Sequence, residues 1–124
     1  MPVKSLNSSV IKWPDQKQIY KAVRSWALIE IKKYPEILRI GYFGSYARGD
    51  WGVGSDLDLV AIVKESNKKF ECRAMNWDLH VLPVQAELLV YTTKEWQNMK
   101  ANRNRFVQVI EQEAIWIYGE NYSI

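Results

Sequence analysis

The sequence predicts an α/β domain: a small mixed sheet of three or four strands with helices packed against it. Segments whose apolar residues recur at helical spacing alternate with short extended apolar runs, which is how helices laid on a sheet are written. One of those runs, Leu59 to Val63, is apolar on both faces, as a central strand covered on each side must be. The length of 124 residues provides one hydrophobic core, since a chain of this size buries about two-thirds of its unfolded surface.

Taken in order, residues Met1 to Trp13 carry no clear period and are read as an N-terminal arm, leaving 14–124 as one domain. A helix then begins near Pro14-Asp15, with proline suited to a first turn and aspartate to the positive end of the helix dipole. Ile19, Val23, Trp26, Ala27, Ile31 and Tyr34 recur at three and four residues, giving one apolar face that packs on the sheet. Lys32-Lys33 before Tyr34-Pro35 supply the C-terminal stop.

Ile37 to Phe43 reads as the first strand, with Leu38, Ile40 and Tyr42 alternating against Arg39 and Gly41. Gly44-Ser45 ends it, and Tyr46 to Arg48 start a short helix whose N-terminus suits phosphates. Three glycines in the loop from Gly49 to Ser55 permit close approach of backbone to a ligand. Asp56 to Val63 is the second strand. Between Lys64 and Gln85 the pattern is weaker: Ser66 to Trp77 is expected to be a helix containing Phe70, Ala74 and Trp77, and Leu79 to Val84 an extended run interrupted by Pro83. Ala86 to Tyr91 is a firmer strand. Thr92-Thr93-Lys94-Glu95 has capping-box spacing and opens a helix through Trp96 and Met99. Asn102 to Asn104 break it, and a last helix from about Arg105 sets Phe106, Val107, Ile110 and Ala114 on one side. Ile115 to Tyr118 either continue that helix or extend along the sheet.

Composition narrows the functional classes. Of the residues, 48% are hydrophobic and 25% charged, as in an ordinary globular protein. The formal charge of +3 comes from scattered cations rather than a basic stripe, which argues against nucleic-acid binding. Cys72 is the single cysteine, without an internal partner or an evident activating base, so it is read as structural and suits a reducing, cytoplasmic setting. No apolar run reaches the length of about 18 residues that spans a membrane, and no signal-peptide layout opens the chain.

The chemistry concentrates between Gly44 and Val63. Residues two apart on a strand share a face, so Asp56 and Asp58 project together. Two adjacent carboxylates repel, and a hard cation such as Mg2+ relieves the repulsion. A Gly-Ser turn nearby offers backbone N–H groups and a hydroxyl to a polyphosphate. A solvated strand end explains Asp56 but not Asp58, which heads a buried strand where an uncompensated carboxylate costs several kcal/mol.

Gly44-Ser45, ten intervening residues including Ala47-Arg48-Gly49, then Asp56-x-Asp58, resembles the signature of the minimal nucleotidyltransferases, small members of the DNA polymerase β-like superfamily. Leu88-Leu89-Val90-Tyr91-Thr92 with Glu95-Trp96 is similar to the strand and helix start that close their catalytic core, so the resemblance runs from about Ile37 to the C-terminus. It implies the DNA polymerase β-like nucleotidyltransferase fold, with Gly44 and Ser45 as phosphate contacts. It implies a third carboxylate on a neighbouring strand beside the metal ligands Asp56 and Asp58. That residue is usually aspartate; here Glu87 stands at the corresponding place, one methylene longer, and Asp78 before Leu79-His80-Val81 is the alternative. Two Mg2+ ions, replaceable by Mn2+, and ATP are the implied cofactor and substrate. The implied role is the antitoxin of a two-component pair, transferring AMP to a HEPN-domain toxin.

Other readings stand beside this one. Arg48 either reaches the triphosphate or pairs with Asp50. Trp51 stacks on a ligand or packs over its own loop, and His80 is read as a satisfied core residue. The competing functions are a binding-only antitoxin with a weakened site at Glu87, and a small-molecule nucleotidyltransferase that needs a second domain or a dimer to wall its pocket. A P-loop, a nucleophile elbow and a dinucleotide fingerprint are all missing from the sequence.

Overall fold

A computed structural model describes residues 13–119. The expected arm, apart from Trp13, lies outside the described residues. Helix α1 (Gln16–Lys33) is followed by strand β1 (Ile37–Phe43), the single-turn helix α2 (Ser45–Arg48) and strand β2 (Leu57–Val63). Two 3-10 segments, Phe70–Asn76 and Leu79–Val81, lead to β3 (Ala86–Thr92), α3 (Thr93–Ala101), α4 (Arg105–Glu113) and β4 (Ile115–Tyr118). The order across the described sheet is β3-β2-β1-β4; β1 pairs antiparallel with β2 and β4, and β2 pairs parallel with β3. The sheet is therefore mixed. Ile115 to Tyr118 extend along it and do not prolong α4.

The ends of the helices follow from side chains the sequence offers. Asp15 caps α1: its carboxylate accepts from the Gln18 N–H at 2.9 Å, and the Gln18 side chain accepts in return from the Asp15 N–H at 2.9 Å. Pro14 precedes that cap rather than sitting in the first turn. Thr92 and Glu95 form the expected capping box of α3, and Asn104, one of the breaking residues, accepts from Val107 N–H to start α4. Each cap satisfies a donor that the first helical turn leaves orphaned, worth about 1 kcal/mol.

Strand β2 has a core on each side. Leu57, Leu59, Ala61 and Val63 pack with Ile19, Val23, Trp26 and Ala27 of α1, while Val60 and Ile62 pack with Trp96 of α3 and Val107 and Ile110 of α4. All of these side chains are buried, and truncating a leucine or isoleucine among them to alanine costs about 2–5 kcal/mol. Strand β1 is covered on both sides too. Arg39 is 5% exposed, its guanidinium lying 3.7 Å from the Trp116 ring centroid and 3.7 Å from Glu111. Gly41 permits this crossing, because a Cβ there would meet the Trp116 ring and the Ile115 carbonyl.

The segment between β2 and β3 departs from expectation. Ser66 to Trp77 does not form one continuous helix; only Phe70–Asn76 is helical, as a 3-10 helix, and none of its residues is buried. Leu79 to Val84 is not continuously extended, since Leu79–Val81 is a second 3-10 turn. Nonlocal contacts override the weak helical period. Arg73 donates to the carbonyls of Lys68 and Val90, both at 3.0 Å, and bidentately to Glu95 at 2.6 and 3.0 Å. Trp77 stacks on Tyr34 with ring centroids 5.6 Å apart and touches Trp26 at 5.7 Å. His80, expected in the core, is exposed on this crossover.

Candidate active site

The parallel register between β2 and β3 aligns Asp58 with Glu87. Alternation then puts both on the sheet face that carries Val60 and Ile62. Asp56, expected as the first residue of the strand, stands immediately before β2 and is exposed; Asp58 is half-buried and Glu87 exposed. Burial raises the Asp58 carboxyl above the ordinary carboxylate range, and the charges of Glu87 and Asp56 raise it further; Arg48 opposes them, and Glu113 adds a smaller push. Negative charge is thus concentrated around Asp58.

Opposite this acidic strand end lies the turn that closes β1. Gly44 is buried with φ +79° and ψ −154°, a conformation only glycine takes without strain. An added Cβ would run into Asp58 Oδ2. Glycine therefore brings the backbone of the turn against the carboxylate. Gly44, Ser45, Arg48, Ser55, Asp56, Asp58 and Glu113, with Phe43, Phe106, Val109 and Ile110, line an open cleft of roughly 550 Å3, a size suited to a small-molecule ligand. Glu87 stands beside the cleft through its pairing with Asp58 and is not part of its lining.

Arg48 makes the expected loop pairing, its Nε donating to Asp50 at 3.0 Å, and also borders the cleft. Its Nη1 also meets Glu113 at 3.4 Å. Glu113, the last residue of α4, was not marked by any motif, yet its Oε2 accepts from the Gly44 N–H at 2.7 Å. One signal was present in the sequence: acidic residues end α4 with no basic residue in its last turn, an arrangement the helix dipole disfavours unless a partner compensates.

Asp78 is elsewhere. It accepts from Lys33 Nζ at 2.7 Å, a pair that holds its carboxyl below the usual range and ties the crossover to α1. Lys33 also meets the buried Glu30 at 3.2 Å. Trp51 stacks on Tyr46 with centroids 5.4 Å apart, packing over its own loop. Tyr46 in turn accepts from Trp13 Nε1 at 2.6 Å.

The donor set of the cleft fits a hard divalent cation: the ionisable acceptors are carboxylates, with no imidazole or thiolate in the lining. Among the described residues no three of His, Cys, Asp or Glu stand close enough to enclose an ion as they are placed. Repulsion among uncompensated carboxylates favours such a spread. With a cation between them, these groups have the chemistry to bind a polyphosphate beside the Gly44-Ser45 turn.

The chain belongs to the nucleotidyltransferase domain family, which its sequence matches over residues 25–117. Among solved structures it is similar to a protein from Sulfolobus solfataricus assigned as a nucleotidyltransferase, with TM-score 0.62 and 16% identity over 98% of this chain and 96% of the other. It is also similar to a toxin–antitoxin structure with AMP-PNP, with TM-score 0.50 and 14% identity over 77% of this chain and 73% of the other. At these identities the likeness is one of fold. No curated protein matches the chain by sequence. No helix among the described residues is long and apolar enough to cross a membrane.

Proposed function

We propose that the chain is a Mg2+-dependent enzyme that transfers AMP from ATP to a hydroxyl of a partner protein, and that the partner is a HEPN-domain toxin which the transfer neutralises in the cytoplasm. The observation that carries this reading is the pairing of Asp58 with Glu87 next to the Gly44-Ser45 turn. The toxin–antitoxin with AMP-PNP that shares the fold supports the choice of partner and of adenine nucleotide.

Asp56, Asp58 and Glu87 are the proposed cation ligands, for two Mg2+ ions that Mn2+ can replace. Bound there, the ions supply charge neutralisation for the triphosphate and lower the pKa of the acceptor hydroxyl. Ser45 and the turn backbone hold the phosphate tail, and Arg48 opposes its charge. The acceptor oxygen bonds to the α-phosphorus as the bond to the bridging oxygen breaks, pyrophosphate leaves, and the hydroxyl proton passes to Glu87. The cleft is open, which suits a protein that brings its own hydroxyl to it.

The test is incubation of the protein with α-labelled ATP, Mg2+ and the protein encoded beside it. Label on that partner, lost in Asp58→Ala, supports transfer. Neutralisation of the partner by Asp58→Ala without label would replace transfer by plain occlusion, and a homodimer that labels an aminoglycoside instead would replace the protein acceptor.

A further inference from the structure

Glu113 holds the two donors that a phosphate would want. Its Oε2 accepts from the Gly44 N–H at 2.7 Å, and Arg48 Nη1 lies 3.4 Å from Oε1 and 3.5 Å from Oε2. Its side chain is 15% exposed and lines the same cleft as Ser45, Asp56 and Asp58. A carboxylate bound by a backbone N–H and a guanidinium copies the contacts of a phosphate oxygen. Yet this one sits in a cleft already rich in negative charge and adds to the charge bearing on Asp58. That position is costly unless the carboxylate fills a place built for an anion.

We infer that Glu113 is an internal stand-in for a nucleotide phosphate, occupying the Gly44 N–H and Arg48 in the ligand-free protein and displaced from them when the triphosphate enters. The inference rests on the nucleotide-binding reading above. Displacement breaks the Gly44 hydrogen bond to Glu113 and makes one to a phosphate oxygen, so the ligand competes with a charged group of the protein itself. Glu113 sets a threshold: a triphosphate, with charge to spare and cations of its own, displaces it, whereas a nucleoside without phosphates has nothing to put in its place. The end of α4 is freed by the exchange, which couples nucleotide entry to the helix that carries Phe106 and Ile110 against the sheet.

Glu113→Gln keeps an oxygen that accepts from Gly44 and removes the charge. Isothermal titration with Mg2+ and AMP-PNP should show about tenfold tighter binding to Glu113→Gln than to the natural protein, from the loss of one nearby like charge, with adenosine affected less than twofold. In the 15N–1H spectrum, the Gly44 amide of the natural protein should move on AMP-PNP addition and should start from a different position in Glu113→Ala. Thermal unfolding of both variants guards against a fold defect, and Glu113→Gln carries the affinity comparison if Glu113→Ala is unstable. Unchanged or weaker AMP-PNP binding by a folded Glu113→Gln overturns the inference; weaker binding would make Glu113 a cation ligand instead. Failure of the natural protein and Glu113→Gln alike to bind AMP-PNP overturns the nucleotide reading, and the stand-in role with it.

Discussion

Gly44 shows how one residue links backbone geometry to the site. Its φ and ψ lie where any other residue is strained, and its missing Cβ makes room for Asp58. Gly44→Ala is expected to destabilise the fold by about 1–3 kcal/mol, read by urea denaturation, and to weaken nucleotide binding in the fraction that folds. Asp58 works in the opposite sense. Its charge is penalised by burial and by Glu87 and Asp56, so Asp58→Asn should stabilise the metal-free protein by about 0.5–1 kcal/mol while abolishing transfer. A lower melting temperature for Asp58→Asn without divalent cations would contradict that account of the site. The two candidate third carboxylates separate cleanly: Glu87→Ala should lower transfer by at least about a hundredfold, whereas Asp78→Ala, which loses exposed contacts to Lys33 and His80, should leave the rate within about twofold. Asp56, Asp58, Gly44 and Ser45 were legible because they are local in sequence. Glu113 was not, because it is brought to Gly44 from the far end of the chain by the packing of α4, and no spacing rule reports such a meeting.

Among the elements, the strands and long helices could be read because each announces itself within its own residues: two-sided apolarity in β2, helical period in α1, a capping box at Thr92. The crossover between β2 and β3 could not, because it is held by contacts that local period does not contain. Arg73 is the clearest case, bound to two carbonyls and to Glu95, which is itself part of the α3 capping box. The hydrogen bond and charge of Arg73 hold the Glu95 carboxyl below its ordinary value of 4.5, with the Thr92 backbone N–H contributing. A lowered folded-state value means that the pairing adds stability in full above that ordinary value and loses it as pH falls through the lowered one. Glu95→Gln should therefore cost about 1 kcal/mol near neutral pH and nearly nothing in strong acid. A difference between variant and natural protein that stays constant across pH 7 to 2 would show that the charge contributes nothing.

At the scale of the whole molecule, a sheet ordered β3-β2-β1-β4 brings three separate pieces of chain to one end: the Gly44-Ser45 turn after β1, Asp56 and Asp58 at the start of β2, and Glu87 at the start of β3. The antiparallel step from β1 to β2 makes the turn face the carboxylates. The parallel step from β2 to β3 makes Glu87 run level with Asp58. We propose that this sheet end grips a nucleotide through divalent cations. The decisive experiment is a crystal of the protein with Mn2+ and AMP-PNP, measured at the manganese absorption edge. Anomalous peaks between Asp56, Asp58 and Glu87, with the phosphates over Gly44 and Ser45 and Glu113 turned aside, are the predicted result; manganese bound elsewhere, with these carboxylates pointing apart, would contradict it.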